Sequence, residues 1–120
     1  MIKIALDAMG GDHAPLEIIK GALWAVKEYK VSVVLVGVKE KIEPILLEET
    51  GGKIPNSISI QHASEIVGMS ESPSAAFKKK KDSSISVGLR LVKEKEADGF
   101  VSAGNTGAVM AASTLILGRI

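Results

Sequence analysis

The chain has 120 residues, the length of one modest domain, with 15 Lys+Arg against 14 Asp+Glu and a formal charge of +1. Zero cysteines exclude a disulfide scaffold, thiolate-ligated metal and a thiol nucleophile, and two histidines argue against a His-rich metal centre. The near-neutral balance, with aromatics at 3%, argues against a dedicated nucleic-acid binder, and twelve glycines are too many for a plain helical bundle.

Ile2–Leu6 reads as a first strand. The acid at Asp7 comes too early for a signal-peptide core. Asp7-Ala-Met-Gly-Gly-Asp-His-Ala14 breaks every periodicity and is predicted to be a loop. Pro15 suits the first turn of a helix, and Ile19, Ala22, Leu23 and Val26 then mark one buried helical face ending near Tyr29. Val31–Val36 is apolar on both faces, as in a strand covered on both sides. Lys39–Glu49 is predicted to be helical, with Pro44 kinking or splitting it. Ile58–His62 alternates with period two and is the third strand.

Ser64–Ser86 holds seven serines and the run Lys78–Lys81. Ser72-Pro73 looks like a helix start, and Asp82 or Ser83 can cap a further helix with Ile85, Gly88, Leu89 and Val92 inward. Phe100–Ser102 is the fourth strand, and a last helix runs from Thr106. Gly99–Gly118 carries too many hydroxyl and amide groups for the roughly 20 apolar residues of a spanning helix, so a cytoplasmic protein is expected. The apolar run Ala108–Ile120 suggests a piece of a longer protein, with no domain boundary inside these residues. The order β-α-β-α-β-α-α-β-α predicts right-handed crossovers and a mainly parallel sheet between two helical layers.

In such a sheet, ligands bind beyond the carboxyl ends of the strands. Ser102-Ala-Gly-Asn-Thr-Gly107 is the sharpest signal there. A strand feeds a Gly-rich turn that opens a helix, whose first N–H groups lack internal partners and attract anions. No acidic residue follows Asp98, so nothing in this helix answers its dipole. Gly104 and Gly107 allow close approach, while Asn105 and Thr106 offer hydrogen bonds or a cap. The plainer alternative is a Thr cap with turn glycines.

Asp7, Asp12 and His13 surround the Gly10-Gly11 hinge. Asp7 can orient a base, hold the loop or bind a hydroxyl; Asp12 can cap the following helix; His13 is more often structural than catalytic. Lys78–Lys81 reads as a solvated surface, a phosphate-attracting rim, an anionic lipid contact or a docking patch for an acidic protein. With Ser83 and Ser84 holding an anion, a lysine would neutralise it. No base is placed beside Ser102, so a Ser-His-Asp triad is not supported.

Together, Asp-Ala-Met-Gly-Gly-Asp-His-Ala-Pro at 7–15, Lys-Lys-Asp-Ser-Ser at 80–84 and Ser-Ala-Gly-Asn-Thr-Gly-Ala at 102–108 resemble the bacterial phosphate acyltransferases of phospholipid synthesis. The resemblance runs from residue 1 to 120. It implies a three-layer α/β/α sandwich similar to phosphotransacetylases and the isocitrate dehydrogenase group. It implies transfer of a long acyl chain from acyl carrier protein to inorganic phosphate, giving acyl phosphate, with no cofactor and no metal. It also implies a homodimer, peripheral association with the membrane, and a protein much longer than 120 residues. On this reading Asp7, His13 and Lys81 are catalytic candidates. Gly10, Gly11, Asp12, Asp82, Ser83, Ser84, Ser102, Gly104, Asn105, Thr106 and Gly107 are substrate-binding candidates. Ser64–Ser86 is a candidate lid. The competing readings are a short-chain phosphotransacetylase using coenzyme A and a non-catalytic phosphate- or nucleotide-binding module.

Overall fold

The computed structural model describes residues 1–118. Four strands and five helices follow in the predicted order: β1 (Ile2–Asp7), α1 (Leu16–Glu28), β2 (Val31–Gly37), α2 (Lys39–Thr50), β3 (Ile58–His62), α3 (Pro73–Lys79), α4 (Ser84–Lys93), β4 (Gly99–Val101) and α5 (Thr106–Leu117). The strands form one all-parallel sheet in the order β3-β2-β1-β4. The chain therefore steps from β1 to β2 to β3 in one direction and returns to place β4 on the other side of β1. That reversal makes the β1/β4 junction the switch point of the sheet, where loops leaving neighbouring strands diverge and open a crevice.

Strand alternation splits the core into two faces. Val33, Leu35 and Ile58 point to one side, where they pack with Ile19 and Ala22 of α1 and Ile42 and Leu46 of α2. Ala5 and Val36 point to the other, packed with Val87 and Leu91 of α4. Val31–Gly37 is apolar on both faces because both are covered. A third cluster joins α3, α4 and α5 through Ala76, Ile85, Leu89, Ala108 and Ala112. The layers are thus α1 and α2, then the sheet, then α4 with α3 and α5 beside it. None of the described helices is long and apolar enough to cross a membrane.

Several local expectations need correction. Pro15 is the N-cap of α1 rather than its first residue, and no side chain caps this helix, so Asp12 does not. Pro44 neither splits nor ends α2, which runs unbroken from Lys39 to Thr50. It removes one N–H donor, and the carbonyl left over belongs to the exposed Glu40, where water can serve it. Gly51, in the left-handed region with φ 61°, then ends the helix. Ser72 occupies the N-cap position of α3 without a side-chain bond. Ser83, not Asp82, caps α4, its Oγ accepting from the Ser86 N–H. Asn105, not Thr106, caps α5. Residues 119 and 120 of the apolar terminal run lie outside the described residues.

Candidate active site at the sheet switch point

Asp7 is the last residue of β1, only 1% exposed. Its Oδ1 accepts the Met9 N–H at 2.9 Å, which tightens the turn after the strand. Its Oδ2 accepts the Ser102 hydroxyl at 2.8 Å. Ser102 Oγ in turn accepts the Gly104 N–H at 3.0 Å. A relay of side chains thus ties the loop after β1 to the loop after β4, 95 residues later. With its proton turned toward Asp7 and no imidazole in the relay, Ser102 acts as a tie, which agrees with the lack of a triad.

Two glycines let these loops meet. A Cβ on Gly10 would stand 2.6 Å from Asp7 Oδ2 and 2.8 Å from the Cα and N of Gly104. No side chain fits between them. Gly11 has φ +96°, a backbone conformation that L side chains rarely adopt, and it packs on Ala103. The bare backbones of both loops therefore meet as a closed floor at the carboxyl ends of β1 and β4.

The helix start above that floor is built by Asn105, which is 6% exposed. Its Oδ1 accepts the Ala108 N–H at 3.0 Å and so caps α5. Its Nδ2 donates to the carbonyls of Gly68 and Glu71, at 3.0 and 2.9 Å. The segment 66–73 is thereby strapped over the start of α5, with Pro73 seated on Gly107. The strap is braced internally. Lys80 Nζ donates to Ile66 O and to Glu71 Oε2, both at 2.7 Å, and Glu71 Oε2 also accepts the Gly68 N–H. The Lys80 hydrogen bond, then that of the Gly68 N–H, holds the Glu71 carboxyl below its ordinary 4.5. Among the described residues, the Thr106 and Gly107 N–H groups donate to no protein acceptor. Two donors therefore remain at the positive end of a helix beside the Asp7–Ser102 tie.

The structure brings Asp7, Gly10, Gly11, Ser102, Gly104, Asn105, Thr106 and Gly107 together. Asp12 and His13 belong to the same loop, but both side chains are exposed and neither makes a hydrogen bond among the described residues. The segment 80–84 is built differently from the expectation. Ser83 and Ser84 are 1% and 2% exposed. Their N–H groups donate to Lys80 O and Glu65 O, and the Ser83 hydroxyl is taken by the cap. The two backbone N–H groups of the expected anion cradle are therefore used within the protein. Asp82 accepts the Ser64 N–H at 2.9 Å and the Ser64 hydroxyl at 2.6 Å; the hydroxyl, then the N–H, lowers its carboxyl below the ordinary 3.8. Lys81 is exposed, its Nζ 5.2 Å from the Phe77 ring centroid. Gly68, Glu71 and Lys80 fall within the candidate lid, but the sequence assigns them no individual role. Their role depends on contacts reaching 37 residues along the chain, which no local pattern announces. No group of His, Asp or Glu among the described residues is arranged to hold a metal.

The fold defines a parallel α/β protein whose candidate site lies at the switch point between β1 and β4. Comparison with known proteins places it further: the chain belongs to the fatty acid synthesis protein family, whose model matches residues 2–120. It is 59% identical over its whole length to a phosphate acyltransferase of Desulforamulus reducens. It is 55% identical to one of Desulfitobacterium hafniense and 56% identical, over 99% of the chain, to one of Dictyoglomus turgidum. The chain spans 35% of the length of each of these relatives.

Proposed function

We propose that this chain forms the phosphate-binding part of an acyltransferase that moves a long acyl chain from acyl carrier protein to inorganic phosphate. The observation that carries the reading is the pair of unspent helix N–H donors, Thr106 and Gly107, at the positive end of α5 beside the Asp7–Ser102 tie. Family membership and relatives named phosphate acyltransferase support the reaction class. The chemistry asks little more of the site than binding and alignment. A phosphate oxygen attacks the thioester carbonyl, the new C–O bond forms, the C–S bond breaks, and the thiolate leaves with the electron pair. A thiol with a pKa of about 8.5 is a competent leaving group without strong acid help. The site's task is to hold the phosphate in line and to stabilise the oxyanion that develops on the carbonyl oxygen. The exposed Lys78, Lys79 and Lys81 flank the strap and suit an acidic carrier protein.

The test uses a chimera in which residues 1–120 replace the matched third of the Desulforamulus protein. Long-chain acyl carrier protein, with and without phosphate, is assayed for release of carrier thiol. Release that requires phosphate, and that acetyl-coenzyme A does not replace, is the expected result. A folded chimera that binds phosphate but releases no thiol would leave a non-catalytic anion-binding module.

A further inference from the structure

Helix α2 begins without a cap of its own. Val38 holds the N-cap position and offers no side-chain acceptor. The orphan N–H of Lys39, the first helical residue, is taken instead by a side chain from another element. His62 is the last residue of β3 and pairs in register with Gly37, the last residue of β2. From that position its Nδ1 accepts the Lys39 N–H at 3.1 Å. The same nitrogen stands 3.9 Å from Glu40 Oε2. The His62 side chain is 45% exposed, so it exchanges protons freely with solvent.

We propose that His62 is a pH-sensitive clasp between the carboxyl ends of β2 and β3, closed while its Nδ1 is bare and opened when that nitrogen takes a proton. A ring nitrogen accepts a hydrogen bond only without a proton, and in the imidazolium both nitrogens are donors. Two donors then face each other at Lys39, and a positive ring sits at the positive end of a helix. Both effects drive the ring off the amide. Its surroundings receive it. On α2 lie Glu40 and Lys39, whose ammonium is 4.0 Å from Glu43. On the other side His62 shares a recess of about 270 Å³ with Asp82 and with Arg90, Glu94 and Glu96, in and after α4. Arg90 is partly committed, since its guanidinium donates to Lys81 O at 2.7 Å. Glu40, Asp82, Glu94 and Glu96 thus outnumber the cations around the ring and favour its charged form once it leaves the amide. Histidine is also the side chain whose ordinary charge change falls between about pH 5 and 8. The clasp lies where the chain enters the strap segment. The residue after His62, Ala63, continues the ladder by donating its N–H to Gly37 O at 2.8 Å. The inference rests on this geometry, not on the proposed reaction.

The experiment is a nuclear magnetic resonance titration from about pH 8 to about pH 5, the range over which histidine ordinarily charges. It is run on the 120-residue chain and, with labelled lysine amides and histidine rings, on the chimera with the Desulforamulus remainder. At the alkaline end the neutral His62 ring is expected to carry its proton on Nε2, leaving Nδ1 as the acceptor. As the ring charges, the Lys39 amide proton should move upfield with the same midpoint. Exchange of the amides in the first turn of α2, corrected for its intrinsic pH dependence, should become roughly fivefold faster, the factor expected for loss of one helix cap. His62→Asn puts an Oδ1 where the imidazole has Nδ1, so it keeps an acceptor that does not titrate. In that protein the Lys39 shift should stay constant. His13→Asn, at the other histidine of the chain, should leave the parent behaviour intact. A Lys39 amide that ignores the His62 titration overturns the proposal. So does a neutral ring protonated mainly on Nδ1, or a pH response in His62→Asn equal to that of the parent.

Discussion

Replacing Gly10 by alanine tests whether the two loops at the switch point are locked as closely as the structure shows. The added Cβ would sit 2.6 Å from Asp7 Oδ2 and 2.8 Å from the Gly104 backbone. Ordinary contacts begin near 3.4 Å, so something must move by more than half an ångström. Asp7 cannot give way freely, because Met9 N–H and the Ser102 hydroxyl hold both its oxygens. Gly104 is main chain and is held by Ser102 Oγ. Overpacking of this kind costs about 1–3 kcal/mol. Losing the Ser102–Asp7 bond as the loops part adds about 1.5–3 kcal/mol. A total of about 2.5–6 kcal/mol corresponds to a melting-temperature drop of roughly 10–24 °C for a domain of this size. Thermal unfolding followed by circular dichroism reads it, with isothermal titration of phosphate alongside. Gly21→Ala is the control in the same chain, because its Cβ meets nothing within 4 Å. That variant should gain about 0.5–1 kcal/mol from helix propensity. A Gly10→Ala chain that melts within 2 °C of the parent, as an order-of-magnitude bound on the shift, would refute the close approach.

Asn105→Asp keeps the oxygen that caps α5 but turns a carboxylate toward the Gly68 and Glu71 carbonyls. The strap should open while α5 persists, seen as roughly tenfold faster proteolysis within 66–73, the factor expected for about 1.4 kcal/mol; unchanged cleavage would show that the amide is not the clasp. Ser83→Ala removes the α4 cap and should cost about 1 kcal/mol, read as a fall of a few degrees in the melt. The strap should also loosen in acid. Glu71 has a folded pKa below its unfolded value, so its contribution is complete above about 4.5 and is lost as pH falls through the lowered folded value. Hydrogen exchange of the Gly68 amide should therefore gain protection from pH 3 to pH 5 relative to an unstructured amide, and Glu71→Gln should flatten that dependence; an equal dependence in both proteins would assign it elsewhere. Turnover of the chimera with carrier-bound substrate should fall steeply with ionic strength if Lys78, Lys79 and Lys81 meet the carrier. Charge reversal at Lys78 and Lys79 should remove that dependence.

Much of the layout could be read from periodicity. Val31–Gly37 announces a strand covered on both sides, and Ile19 with Ala22 announces the inner face of α1, because burial is local to each element. The loops at 7–13 and 102–107 are legible for the same reason: strand and helix periods stop there and glycines begin. The tie between them is not legible, since it depends on β4 returning to the side of β1, a choice made by long-range pairing. The sequence leaves the choice between neighbouring cap residues open for a related reason. Asn105 and Thr106 are both good caps by type, and the strap carbonyls that select Asn105 are 34–37 residues away. Ser83 and Ser84 looked like an anion cradle because hydroxyls before a helix suggest one. The backbone N–H groups beside those hydroxyls are spent on Lys80 O and Glu65 O, contacts no local pattern announces. Of the two readings at Pro44, splitting is excluded: the helix continues through it, where the orphaned carbonyl is exposed.

The most direct measurement of the proposed phosphate site is a titration of the isotopically labelled chain with inorganic phosphate, followed amide by amide. The account predicts saturable shifts concentrated at Gly10–His13 and at Thr106 and Gly107, greatly weakened in Ser102→Ala. Shifts confined to the Lys78–Lys81 surface, or an unchanged response in Ser102→Ala, would contradict it.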